Sequence, residues 1–268
     1  MIKNILLGLN LLRKYKKSYG GVKGKYKRFE DAQKNITLSW SNINTEEYKN
    51  NFNKLIETPS DLIHVRNDSK SYNSKGLFSW DYPTLFWLDR IITLPVVNKI
   101  NIVDFGGNIG NHYYLYNHYL NNKLENSNWK VVEIEKFISL GRSFNKKYSN
   151  LFFEKLEDII NEDIEIFHAS SSLQYLNDSL LDIIEKFQKK PNYIIINRTP
   201  FTKENSFFTI QNGGSSEYVM KVISFEELDA LKKYYTIIDD WYDNIDKCSI
   251  PFDKSNKVFY KGYILKLK

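Results

Sequence analysis

The stretch Ile100 to Tyr116, Ile-Asn-Ile-Val-Asp-Phe-Gly-Gly-Asn-Ile-Gly-Asn-His-Tyr-Tyr-Leu-Tyr, constrains the fold more than any other part of the chain. Ile100, Ile102 and Val103 make a short apolar, β-branched run that suits a buried strand, closed by Asp104. Gly106, Gly107 and Gly110 then supply a turn with few side chains in the way, and the aromatic-rich segment beyond them can continue as a helix. A strand, a glycine turn and a helix N-terminus together present backbone N–H groups and a helix dipole to the polar end of a ligand. A dinucleotide fingerprint needs Gly-x-Gly-x-x-Gly, and aligned on Gly107 and Gly110 its first glycine falls on Phe105, so that register fails. The other register sets an acid two residues ahead of the first glycine. A turn that serves only the fold is the competing reading.

Composition narrows the class. At 268 residues with 42% hydrophobic and 15% aromatic content, the chain can bury a sizeable core and is not of the disordered type. One cysteine, Cys248, excludes an internal disulfide framework and a zinc ribbon, which points to the cytoplasm. The net charge is +6, yet residues 1–28 hold nine Lys or Arg and no acid, leaving the rest of the chain net acidic. No basic stripe crosses the body, so a nucleic-acid partner is not expected.

The opening run Ile2 to Leu12 is too short to span a bilayer and lacks a small-residue cleavage site. It reads as an amphipathic helix packed on the body, or as a basic helix in peripheral contact with an anionic inner-membrane leaflet. Phe29 to Ile56 is broadly helical in pattern, with Trp40, Tyr48, Phe52 and Leu55 as packing residues. Prolines and aromatics punctuate residues 57–99, and Thr84 to Ile92 has helical spacing after Tyr82 and Pro83. Residues 1–97 are therefore expected as a mainly helical N-terminal extension, and 98–268 as one α/β domain.

Beyond the glycine turn, Trp129 to Ile134 reads as a second strand with Glu133 at its end. An acid there can accept both hydroxyls of a ribose, and Glu135 is the runner-up on the same face. Leu151 to Phe153 and Ile164 to Phe167 are expected as the third and fourth strands, Ser179 to Lys189 as a helix, and Tyr193 to Ile196 as the fifth strand. Phe225 to Lys233 reads as helix, with strands at Tyr235 to Trp241 and Val258 to Leu267. Strands alternating with helices predict a mostly parallel sheet covered on both faces, with ligands at the carboxyl ends of its strands. Asp104, Glu133, His168 and Arg198 all fall at such ends. The polar stretch Gln211 to Ser216 suits a loop over the cleft.

The combination Val-Asp-Phe-Gly-Gly-Asn-Ile-Gly, Trp-Lys-Val-Val-Glu, Ala-Ser-Ser-Ser-Leu-Gln-Tyr-Leu and Ile-Asn-Arg-Thr-Pro-Phe resembles a family of bacterial S-adenosylmethionine-dependent methyltransferases often associated with surface-polysaccharide gene clusters. The resemblance runs from about Phe29 to the C-terminus, with Asn108 standing where the family has its middle glycine. It implies a Rossmann-like seven-stranded sheet, mostly parallel with an antiparallel last strand, and S-adenosylmethionine as cofactor. By resemblance, Asp104, Gly106, Gly107, Asn108, Gly110 and Glu133 would contact the cofactor, with Ser170, Ser171 and Gln174 near its methionine end. No metal is implied.

Methyl transfer from a sulfonium asks mainly for alignment and exclusion of water. A sugar-hydroxyl acceptor needs a base, and of the four histidines His168 is preferred, with His112 beside the acceptor. Arg198 can grip a carboxylate or phosphate at two points, which fits an anionic sugar, a nucleotide sugar or a phosphorylated precursor in capsule synthesis, with Tyr82 as a further substrate contact. A phosphate-type acceptor oxygen would need no base. A non-catalytic cofactor-binding partner in polysaccharide assembly is the remaining alternative.

Overall fold

The computed structural model describes residues 15, 20–37, 77–93, 99–213, 216–243, 248–251 and 257–268. The expectations for Ile2–Leu12, Trp40, Tyr48, Phe52 and Leu55 lie outside these residues. Among the described residues, no helix is long and apolar enough to cross a membrane.

The strands of the main sheet are β2 (Asn101–Phe105), β3 (Asn128–Val132), β4 (Leu151–Glu154), β5 (Ile166–Ser170), β6 (Tyr193–Thr202), β9 (Tyr235–Tyr242) and β10 (Val258–Leu267). They run β4-β3-β2-β5-β6-β10-β9 from edge to edge. The pairs from β4 to β6 are parallel, and β10 is antiparallel to both β6 and β9. This is the expected seven-stranded, mostly parallel sheet.

Alternation along the strands assigns the two faces. Ile102, Val131, Ile166 and Ile195 point to the side covered by α2 (Asp81–Ile92), α3 (Asn111–Tyr119) and α4 (Glu135–Phe144). Val103, Val132, Phe167, Ile194 and Ile196 point to the other, where α5 (Leu156–Ile159), α6 (Leu180–Glu185) and α7 (Phe225–Asp229) pack. Both faces are apolar because helices cover both, which is why the strands read as continuous hydrophobic runs. Ser179 begins α6 with a capping box: its Oγ accepts from the Asp182 N–H while the Asp182 carboxylate accepts from the Ser179 N–H.

Three strands lie outside this plan. β1 (Val22–Tyr26) pairs with β7 (Phe207–Asn212), and β7 forms an antiparallel hairpin with β8 (Glu217–Ser224). Of the expected loop over the cleft, Gln211 and Asn212 belong to β7, and the turn between the two strands is closed by Gly213 N–H donating to the Ser216 carbonyl at 2.7 Å; residues 214 and 215 lie outside the described residues. Buried polar residues such as Thr209 and Lys221 hide the strand pattern. The N-terminal extension is likewise not simply helical. Its glycine-flanked segment is the edge strand β1, and only Phe29–Gln33, the five-residue α1, is helical among the described residues from 20 to 37.

The two sheets meet on β6. Tyr193 to Asn197 pair with β5, whereas Phe201 and Thr202 pair with β8, so β6 changes partner along one edge. The change falls at Arg198, whose φ is 49°, and the register with β10 shifts there, between Lys261 and Tyr263. Such a kink in a ten-residue strand re-aims the side chains beyond it.

Candidate active site

β2 pairs with β3 on one side and β5 on the other, so the chain reverses its direction of winding at the carboxyl end of β2. That reversal makes a crevice in an open α/β sheet, where ligands bind. The glycine turn lines it on one side and the segment from Ser170 to Gln174 on the other. The two touch closely: a Cβ on Gly106, which has φ 69°, would stand 2.4 Å from Ser172 Cβ. Asn108 adopts φ 59°, a left-handed conformation that asparagine tolerates, and its Oδ1 accepts from the Ile109 N–H. This is how the turn does without a glycine at this position.

Glu133 follows the end of β3 and faces the turn. Its Oε1 accepts from the Asn108 N–H at 3.2 Å and its Oε2 from the Ile134 N–H at 2.9 Å. Burial raises its carboxyl above the usual range against the pull of these two amides. Beside it Ile134 is 54% exposed, an apolar surface at the mouth of the crevice. Glu135 instead opens α4 and pairs with Lys155 at 3.0 Å, away from the turn. It drops out as a ribose ligand.

Asp104 differs from expectation. It is fully enclosed under the turn: His168 Nδ1 lies 2.9 Å from Oδ1, and His112 Nδ1 lies 3.1 and 3.3 Å from the two oxygens. Trp129 Nε1 donates to Oδ2 at 3.3 Å. A Cβ on Gly107 would stand 2.3 Å from Oδ2, so the turn rests on the carboxylate itself. Burial alone would raise the Asp104 carboxyl, but the His112 charge and the hydrogen bonds of both imidazoles hold it well below the usual range. Asp104 therefore supports the turn from beneath and does not reach a ligand.

His168 is corrected for the same reason. β5 continues to Ser170, so His168 is inside the strand, fully buried, with its Nδ1 on Asp104 and its ring against Tyr116 and Trp129. Burial lowers its pKa despite Asp104, which keeps the imidazole neutral. A neutral ring enclosed on all sides cannot take a proton from an acceptor. His112 also turns inward to Asp104 and not toward an acceptor. Burial works against its charged form, yet Asp104 and the Asp81 charge prevail and raise its pKa.

The donor atoms of Asp104, His112 and His168 all lie within 4.8 Å of one another, a grouping that could hold a metal ion. Hydrogen bonding accounts for it better. A ligating Nδ1 would leave the other ring nitrogen of His168 as an N–H needing an acceptor. Among the described residues Nε2 has no hydrogen-bond partner, which an unprotonated nitrogen in apolar surroundings tolerates.

Two groups that the sequence reading did not single out complete this buried network. Asp81, at the start of α2, accepts from Tyr116 Oη at 2.8 Å and from the Phe78 N–H at 3.2 Å, and burial pushes its carboxyl up to about 6. Asn197 accepts from Trp241 Nε1 at 3.1 Å. Helical spacing had marked the hydrophobic side of α2, but nothing local announces that Asp81 is enclosed.

On the far side of the crevice Ser170 ends β5, and Ser171 has φ 55°, its N–H donating to the Asn197 carbonyl at 3.1 Å. Gln174 is buried, and its Oε1 and the Ser172 Oγ have no hydrogen-bond partner among the described residues. Such atoms need a ligand or water to satisfy them. The Arg198 guanidinium lies 4.6 Å over the Trp80 ring. Tyr82 is 60% exposed at the surface of α2; the ring that meets Arg198 is Trp80. Three non-glycine residues with positive φ, Asn108, Ser171 and Arg198, thus stand after or at the ends of β2, β5 and the paired part of β6. Strain of this kind gathers at ligand sites.

No protein-family model matches the chain, and no curated protein matches it. Solved structures do. A Listeria monocytogenes protein provisionally assigned as an S-adenosylmethionine-dependent methyltransferase is 14% identical, covering 69% of this chain and 99% of its own, with a TM-score of 0.45. Magnesium protoporphyrin IX methyltransferase from Synechocystis PCC 6803, solved with bound S-adenosylmethionine, is 10% identical, covering 70% and 77%, with a TM-score of 0.44. TehB from Haemophilus influenzae is 15% identical, covering 75% and 65%, with a TM-score of 0.45. Strand order, the antiparallel β10 and the glycine turn at the crevice themselves define a Rossmann-like sheet of the methyltransferase type.

Proposed function

We propose that this chain is an S-adenosylmethionine-dependent methyltransferase that acts in the cytoplasm on an anionic sugar, nucleotide sugar or phosphorylated precursor of a bacterial surface polysaccharide. The observation that carries the reading is the Glu133 carboxylate facing the Asn108 amide across the glycine turn, at the crevice of a sheet with this strand order. Glu133 would take the ribose hydroxyls, the turn would lie along the cofactor, and Ser172 and Gln174 would satisfy their buried oxygens at its methionine end. When bound, S-adenosylmethionine supplies a methyl group already activated on a sulfonium.

The chain's own work is then alignment. Arg198 holds the acceptor anion through its fork while Trp80 fixes the guanidinium plane. The enclosure of His168 favours an acceptor oxygen that is already anionic, a carboxylate or phosphate, because such an oxygen needs no base. The acid character of the chain beyond residue 28 fits a small-molecule acceptor better than a nucleic acid.

Titration calorimetry with S-adenosylhomocysteine, with a reduced nicotinamide cofactor as control, tests the cofactor. Saturable one-site binding of the first alone supports the reading, and binding of the nicotinamide alone overturns it. Transfer of labelled methyl to uronic acids, nucleotide sugars and sugar phosphates tests the acceptor. Arg198→Lys should raise the acceptor KM about tenfold with cofactor affinity unchanged, since a point charge replaces a two-point grip.

A further inference from the structure

We infer that His112 is a positioning residue that clasps the glycine turn through Asp104 while its ring is protonated, so that losing the proton loosens the turn and weakens cofactor binding. The inference rests on the cofactor reading of the crevice given above.

The geometry places His112 at a junction of three elements. It lies in the first turn of α3, directly after Gly110, and its Nδ1 reaches both oxygens of Asp104 at the end of β2. Those oxygens carry Gly107, with no room for a side chain between. A shift of the carboxylate is therefore a shift of the turn. His168 makes the second imidazole bond from β5, but to Oδ1 only.

The groups facing His112 explain why it is the titrating member. Asp104 faces it from β2, and the Asp81 charge acts on it from the start of α2; the Asp81 carboxyl is itself raised chiefly by burial, with Asp243 beyond β9 adding to it. His168 stands edge-on from β5 with ring centroids 5.0 Å apart, and Tyr116 stacks on it from the next turn of α3 at 5.5 Å. Two carboxylates thus oppose burial at His112, whereas only Asp104 does so at His168. His112 is also 8% exposed where His168 is wholly enclosed, so it can exchange its proton with solvent. Because its folded value is raised, the clasp is complete below about pH 6.5, the unfolded value, and is lost as pH rises through the folded value.

Two measurements on the full chain decide the matter. In 15N NMR between pH 5.5 and 9, the His112 ring should titrate above His168, and the Gly106 and Gly107 amides should follow the His112 curve. In calorimetry over the same range, the Kd for S-adenosylhomocysteine should rise about tenfold as that ring deprotonates. His112→Gln, which keeps a neutral donor, should bind weakly with a pH profile lacking this step. Glycine amides that ignore a titrating His112, or a His112 already neutral at pH 5.5, overturn the clasp. If S-adenosylhomocysteine binds at no pH while the glycine amides follow His112, the cofactor reading fails and the clasp stands.

Discussion

Two buried carboxylates each gather a set of donors, one under the glycine turn of the main sheet and one on β8, and they do so across very different distances in sequence. Asp104 gathers His112, Trp129 and His168, which lie 8, 25 and 64 residues away. Glu217, on β8, gathers Tyr15, Lys23 and Thr37: Lys23 Nζ donates at 2.6 Å, the Thr37 N–H at 2.8 Å and its Oγ1 at 3.0 Å, and the Tyr15 hydroxyl donates as well. Those partners are 180 to 202 residues from it. Burial would raise the Glu217 carboxyl, but these donors, Lys23 first, lower it to about 2. One acid organises the crevice within a continuous run of βαβ units; the other fastens the chain's opening segment onto a distant hairpin.

Removing each acid separates the roles. Asp104→Ala should have the largest effect, about 3–5 kcal/mol in urea unfolding together with loss of cofactor binding, because it strands a buried imidazolium. Wild-type stability with wild-type cofactor affinity would show that the network under the turn carries neither. Gly107→Ala should come next. A Cβ at 2.3 Å from a carboxylate held by three donors must displace the turn, and calorimetry should find cofactor affinity down by about tenfold or more.

Glu217→Gln should cost about 2 kcal/mol, the order expected for hydrogen bonds to a charged group, and should leave cofactor affinity intact. Hydrogen exchange should quicken in β1 and not in β2; equal quickening in both would mean that the two sheets open as one unit. The sign with pH follows from the lowered value. Glu217 adds stability above its unfolded pKa of about 4.3 and loses that contribution as pH falls toward about 2, so the acid limb of wild-type stability should be steeper than that of Glu217→Gln. Asn108→Gly should be the smallest change, within about 0.5 kcal/mol by thermal unfolding, because relief of the positive φ offsets the lost Oδ1 bond.

The same contrast explains what could be read beforehand. The glycine turn, Glu133 and the order of the main strands follow from short-range signals: β-branched runs, a turn no side chain may enter, an acid at a strand end. Arg198 was visible as a cation after an apolar run, but the strand's continuation to Thr202 was not, since Asn-Arg-Thr-Pro reads as a terminus. Partner choice for His112 and His168 escaped because alternation tells which face a residue takes and not what meets it there. Asp104 looked like a ligand contact because its spacing to the glycines is the same whether its carboxylate points out or beneath. The accessory sheet escaped altogether. β1 has no neighbour in sequence to pair with, and Asn212-Gly213 drew attention to the turn instead of the strands β7 and β8 that it joins.

The pairing of Val22 with Gln211 also sets a timetable for biosynthesis. On the ribosome the edge strand emerges first, and its partner follows about 190 residues later, which at about 5–20 residues per second is a wait of ~10–40 s. Over that interval β1 is a nascent segment rich in lysine and glycine, with no large apolar run, a composition that resists premature association. Pairing of β1 therefore waits until β7 is made, and a ribosome paused before β7 would hold the parallel strands β2 to β6 with β1 still waiting for its partner.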